Sequence, residues 1–89
     1  MIGLVDKIGL AASYEQLAEE CVELAHACLK EARKLRGENP TPAEKPAIDA
    51  KVEEEATDVL LMLDELQITE RFDIRKFKEE RALSRLSEI

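Results

Sequence analysis

Apolar residues recur every three or four positions along this chain and are separated by charged ones, a helical pattern almost throughout. Leu17, Cys21, Leu24, Cys28 and Leu35 make one stripe, and Ser13 followed three residues on by Gln16 has the form of a capping box. A first long helix is therefore predicted from Tyr14 to Arg36, after a short apolar lead from Ile2 to Ala12. Lys30, Arg33, Lys34 and Arg36 suit the negative end of its dipole, and Gly37 supplies a stop. Gly37 to Pro46 holds all three prolines and is the one clear loop. Beyond it Ile48, Val52, Ala56, Val59, Leu63 and Leu66 form a second stripe, which places a helix from Ala47 to Gln67 with Ile68 and Thr69 weakening its end. Ile74, Phe77, Leu83 and Leu86 mark a third, highly charged helix from Asp73 to Glu88. No stretch alternates as a strand does. The expected fold is all-α, an antiparallel bundle of three to four helices, with 1–89 read as a single domain.

Composition sharpens this picture. Tyr14, Phe72 and Phe77 are the only aromatics, so the core must come from aliphatic side chains, with Tyr14 and Phe72 as its anchors. An aliphatic core in 89 residues is marginal alone, and apolar faces left open are expected to close on further copies, giving a homo-oligomer, a dimer or tetramer. Thirteen Lys and Arg against 20 Asp and Glu, a net charge of −7, would repel a nucleic acid polymer. A small anion stays accessible where a divalent cation first neutralises local carboxylates. Cys21 and Cys28 fall two turns apart on one helix, about 10 Å, too far for a disulfide, and read as reduced thiols buried as small hydrophobes. With no apolar leader and no membrane-length run, the expected location is cytoplasmic, with no membrane partner.

The two long helices share one design. Offset by 35 residues, Leu17, Cys21, Leu24 and Cys28 fall on Val52, Ala56, Val59 and Leu63, and Glu19, Glu20 and Glu23 fall on Glu54, Glu55 and Asp58. Glu20 and Glu23 lie within roughly 60° of each other on the edge of their stripe, and Glu55 and Asp58 stand likewise. Antiparallel pairing can bring all four to one height at the rim of an apolar seam. Carboxylates so crowded repel unless a cation intervenes, and an all-oxygen set favours Mg²⁺, with Mn²⁺ possible, over zinc. His26 points about 90° or more from the midpoint of Glu20 and Glu23 and reads as an interface or surface histidine. Lys76, Lys78, Arg81 and Arg85 read as a solvated face paired with Glu79, Glu80 and Glu88.

The order of these acids is also a signature. Gln16-Leu17-Ala18-Glu19-Glu20-Cys21-Val22-Glu23-Leu24, continued by Ala27, Lys30 and Arg33, and then Glu54-Glu55-Ala56-Thr57-Asp58-Val59-Leu60, resemble the EExxE and ExxD motifs of the MazG-like all-α nucleoside triphosphate pyrophosphohydrolases. The likeness spans about Leu10 to Leu66, and the last helix is similar to the closing helix of short, phage-type members. The resemblance implies Mg²⁺-dependent hydrolysis of a nucleoside triphosphate to the monophosphate and pyrophosphate. Glu20, Glu23, Glu55 and Asp58 would be the metal ligands, with Glu19 a further ligand or water-orienting base beside Glu20. Lys30, two turns beyond Glu23 on the same face, and Arg33 are candidate phosphate contacts, although cations there would also complement the helix dipole. Two other readings stay open: a phosphoribosyl-ATP pyrophosphohydrolase on the same scaffold, and a non-catalytic helical module for oligomerisation or partner binding.

Overall fold

A computed structural model describes residues 3–38 and 43–88. It contains four helices in sequence, α1 Leu4–Ile8, α2 Leu10–Arg36, α3 Lys45–Glu65 and α4 Phe72–Leu86, and no strand among the described residues. The all-helical expectation stands. Part of the proline-rich loop, residues 39–42, lies outside the described residues.

Helix α2 starts four residues earlier than its apparent capping box. Gly9, with φ 90° and ψ 164°, breaks the chain between α1 and α2, and the good helix formers Leu10, Ala11 and Ala12 carry the helix from there. Ser13 therefore caps nothing. It sits fully buried in the first turn and donates its hydroxyl to the Gly9 carbonyl at 2.7 Å. At its other end α2 closes as expected, because Gly37 adopts φ 70° and the N–H groups of Gly37 and Glu38 return to the carbonyls of Lys34 and Arg33. Helix α3 begins two residues before the predicted start, with Pro46 in its first turn where a missing N–H costs nothing. It ends in the same hydrogen-bond pattern, Gln67 to Asp64 and Ile68 to Leu63, but the left-handed position is occupied by Gln67 at φ 58°. The stop is thus a backbone turn and not the β-branched pair that follows it.

Lys45 of α3 reaches Glu31 of α2 at 3.5 Å, while Glu55 meets Glu20 and Glu23 further along, so the two long helices run antiparallel. The seam between them is built from Ser13, Leu17, Glu20, Leu24, Ala27 and Glu31 on α2 and Ile48, Val52, Glu55, Val59, Met62 and Leu66 on α3, all buried or half-buried. This face is turned from the expected stripe, and Cys21 and Cys28 are accordingly free but exposed, contrary to their reading as buried thiols. Tyr14 and Phe72 are 48% and 79% exposed, so neither anchors the core. Helix α1 is tied to the far end of α3, where the Leu4 N–H donates to Glu65 Oε1 at 2.7 Å. Helix α4 buries no residue. The chain is extended in consequence, with a radius of gyration of 16.7 Å against about 12 Å for a compact chain of this length.

The end of α3 provides a direct check on this account. A side chain in the left-handed region costs about 1 kcal/mol that glycine avoids, so Gln67→Gly should raise the urea midpoint of unfolding with an unchanged slope. A lower midpoint would show that Gln67 contributes contacts that outweigh its backbone strain.

Candidate metal centre

Helices α2 and α3 position two overlapping groups of acids. Glu20, Glu23 and Glu55 each offer an oxygen within 4.8 Å of the others, and so do Glu54, Glu55 and Asp58. Glu55 belongs to both. The four acids singled out in the sequence thus gather as two groups joined at one residue, and Glu54 joins them. Nor do they all line a rim: the Glu55 side chain is only 5% exposed and lies within the seam itself.

Their orientation is fixed by neighbours on their own helices. Gln16 Nε2, one turn before Glu20, donates to Glu20 Oε1 at 2.7 Å, and Lys51 Nζ, one turn before Glu55, lies 2.8 Å from Glu55 Oε1. The second oxygen of each, Glu20 Oε2 and Glu55 Oε2, is buried without a hydrogen-bond partner. Burying a carboxylate oxygen without a donor costs several times a surface ion pair, so this centre is under electrostatic load. The load appears in the acid strengths. Glu23 is pushed up, chiefly by sharing a hydrogen bond with Glu55 and then by the charge of Glu20, while Glu55 is held down, chiefly by Lys51. Of the two, Glu55 is the stronger acid and Glu23 the weaker. Lys51 is raised in turn, first by Glu55.

A cavity of about 310 Å³ opens beside this centre, with Glu23 and Glu55 at one side, Ala27 and Ile48 as its apolar wall, and the cations Lys30 and Lys51. His26 also lines it, so the histidine read as an interface or surface residue is exposed but stands at the mouth of the candidate site. Glu19 belongs to neither acidic group and faces an adjoining groove that it shares with Glu23 and His26. Arg33, half-buried near the end of α2, is not among the cavity-lining residues. Sequence reasoning gave Lys51 no role, although its spacing of four from Glu55 was a visible signal. Gln16 was read as a cap and as part of a motif, and its contact with Glu20 follows from the same spacing.

An all-oxygen donor set with two buried, unpartnered oxygens fits a small hard cation such as Mg²⁺ or Mn²⁺, which takes carboxylates and keeps water in its other positions. Glu31 and Glu65 carry orphaned oxygens too, outside both groups, and exposed acidic groups are common without an ion, so the fit rests on orphaned oxygens and converging acids occurring together at Glu20 and Glu55.

The sign of the pH dependence follows from Glu23. A carboxyl whose folded pKa is raised contributes stability at low pH that is lost as pH rises through the folded value, whereas the lowered Glu55 contributes stability that is lost as pH falls through its own. In metal-free buffer Glu23→Gln should therefore melt above the parent at neutral pH, with the difference closing below the ordinary glutamate range. Glu55→Gln should melt below the parent at neutral pH, because Lys51 loses its partner. Thermal melts from pH 3 to 8 check both, and equal responses of the two variants would contradict the assignment.

No family model, curated protein or solved structure matches this chain.

Proposed function

We propose that this protein is a Mg²⁺-dependent nucleotide pyrophosphohydrolase of the MazG-like type, cleaving a nucleoside triphosphate to the monophosphate and pyrophosphate. The observation that carries the reading is the meeting of Glu20, Glu23 and Glu55 across two helices, with a buried Glu55 oxygen left without a donor, beside a cavity lined by Lys30 and Lys51. The resemblance of the EExxE and ExxD segments adds the reaction class.

In this reading Glu20, Glu23, Glu55 and Asp58 hold Mg²⁺ or Mn²⁺, and Glu54 is a further oxygen within reach of Glu55 and Asp58. The bound ion supplies charge neutralisation at phosphate oxygens and acidifies a coordinated water. Gln16 keeps Glu20 turned so that its second oxygen faces the site. Glu19, the water-orienting base that the resemblance implies, lines the neighbouring groove with Glu23 and acts on the attacking water from there. Lys30 and Lys51 face the phosphate chain from the cavity wall, and Arg33 contributes helix-end charge more than contact. Ala27 and Ile48 give the cavity an apolar side that excludes water.

We extend the proposal to a homo-oligomer. Phe72, Phe77, Leu83 and Leu86 of α4 are 79%, 61%, 66% and 63% exposed, and Val22, Leu29 and Leu35 of α2 are more than half exposed. A helix this apolar and this uncovered gains stability from a second copy at roughly 25 cal/mol per Å² buried. No described helix is long and apolar enough to cross a membrane, so a lipid bilayer is not the obvious cover.

Two measurements test these statements. Glu20→Gln and Asp58→Asn should each lower Mg²⁺-dependent pyrophosphate release across a nucleoside triphosphate panel by about a hundredfold or more, with the helical circular dichroism unchanged. Phosphoribosyl-ATP belongs in the same panel, and its selective turnover would move the assignment to that substrate. Release of no pyrophosphate from any member would overturn the enzymatic reading in favour of a binding module. Separately, light scattering should give the mass of a dimer or tetramer that falls in a Phe77→Glu, Leu83→Glu double variant, and a monomeric parent would refute the assembly.

A further inference from the structure

Lysines of α3 pair with carboxylates at two places along the seam, and Lys45 alone of the two has an ion pair across to α2. At the loop end Lys45 pairs with Asp49 four residues later and reaches Glu31 of α2 at 3.5 Å. Two turns further along, Lys51 pairs with Glu55 four residues later and lies 3.8 Å from Glu54. Lys45 meets two carboxylates outside both candidate metal groups. Lys51 sits at the residue common to both groups; the second oxygens of Glu31 and Glu55 are alike buried and unpartnered, so what sets Lys51 apart is its place among the grouped acids. Its own side chain is 56% exposed and lines the cavity, so its ammonium has somewhere to go.

We propose that Lys51 is a resident counter-ion of the acidic centre, which a divalent cation displaces from Glu55 toward the cavity. The inference rests on the metal-binding reading above and adds a residue that the EExxE and ExxD motifs do not contain. An ammonium 2.8 Å from Glu55 Oε1 occupies one side of the carboxylate that an ion would need. Metal-free, it neutralises part of a buried charge whose isolation would be costly. With the ion bound, the two cations repel and Glu55 is compensated without the lysine, so the ammonium leaves. Its flexible four-carbon stem lets it swing while Glu55 stays in the seam. The freed charge then faces the same cavity as Lys30, where a phosphate chain would meet it. Metal uptake and anion recognition are coupled by one side chain, and a metal-free site is kept from attracting stray cations at full strength.

Calorimetric titration with Mn²⁺ alone, at pH 7.5 and without nucleotide, tests the displacement. Lys51→Met should bind Mn²⁺ about tenfold more tightly than the parent, the size of one charge-assisted hydrogen bond no longer competing, and should melt lower than the parent when metal-free. Lys45→Met should also melt lower but leave Mn²⁺ affinity unchanged. Should Lys51→Met fail to fold without metal, the parent answers the question. With Mg²⁺, the Lys51 side-chain amine resonance, identified by its loss in Lys51→Arg, should move on saturation while that of Lys45 stays. Equal or weaker Mn²⁺ binding by Lys51→Met, or a Lys51 resonance indifferent to Mg²⁺, overturns the counter-ion role and leaves the metal centre standing. Absence of Mn²⁺ uptake by the parent and both variants overturns the metal centre and this role with it.

Discussion

The structure depends on a carboxylate placed where a helical hairpin would ordinarily put a leucine. Glu55 lies at a seam position of α3, between Val52 and Val59 one turn to either side, and its side chain is almost wholly removed from water. An ionised group there is tolerated only with partners. Lys51 meets one oxygen, Glu23 brings an oxygen within 4.8 Å, and Glu20 arrives from α2 with its own half-satisfied carboxylate. Every other feature of the centre is a response to that burial. Gln16 holds Glu20, Lys51 holds Glu55, and Glu23 gives up acidity so that the others can remain charged.

How much of this was legible can be followed on the repeat of 35 residues. The buried seam is Ser13, Leu17, Glu20, Leu24, Ala27 and Glu31 on α2, and adding 35 to each number gives Ile48, Val52, Glu55, Val59, Met62 and Leu66 on α3. The offset seen in the sequence therefore relates the two seam faces position by position. What sequence reading missed is the rotation. Given Cys21, Cys28, Ala56 and Leu63, an apolar stripe passes through them, and the acids fall on its edge. In the structure the most buried line passes through Glu20, Ala27, Glu55 and Met62, with Ala56 and Leu63 half-buried beside it, which draws Glu20 and Glu55 inward and leaves both cysteines outside. Hydrophobicity alone cannot find this face, because Glu20, Glu31 and Glu55 occupy it against the hydrophobic pattern. Helix limits were read to within a few residues, since Gly37 and Pro46 are local signals, but Ser13 and Gln16 made a convincing cap for a helix that begins at Leu10.

Helix α4 shows the reverse problem. Its charged, periodic sequence specifies a helix, and one forms, yet it buries nothing. Arg75 is bonded to Glu70 and Glu79, and Arg71 to Asp73, so its local geometry is held by short-range ion pairs, which are weak where water screens them. Its aromatic side chains Phe72 and Phe77 are the largest apolar groups in the chain and among its more exposed. Periodicity reports that a face is apolar and says nothing of which surface covers it, so the destination of this helix had no signal in one chain.

Two lysine-centred clusters along the seam differ in how many acids surround them. Glu31, Asp49 and Lys45 form a cross-helix cluster in which two carboxylates meet one cation. Glu31 is raised chiefly by its hydrogen bond to Asp49, Asp49 is lowered by that bond and by Lys45, and Glu31 Oε2 is left buried without a partner there as well. Around Glu55 the same device faces five carboxylates, Glu20, Glu23, Glu54, Glu55 and Asp58, with Lys51 as the ammonium paired to them. A single positive charge cannot balance that number. The residual negative charge lies beside a cavity that Lys30 and Lys51 also line. The two clusters share a lysine and an orphaned carboxylate oxygen, and what distinguishes the second is the larger number of acids gathered there.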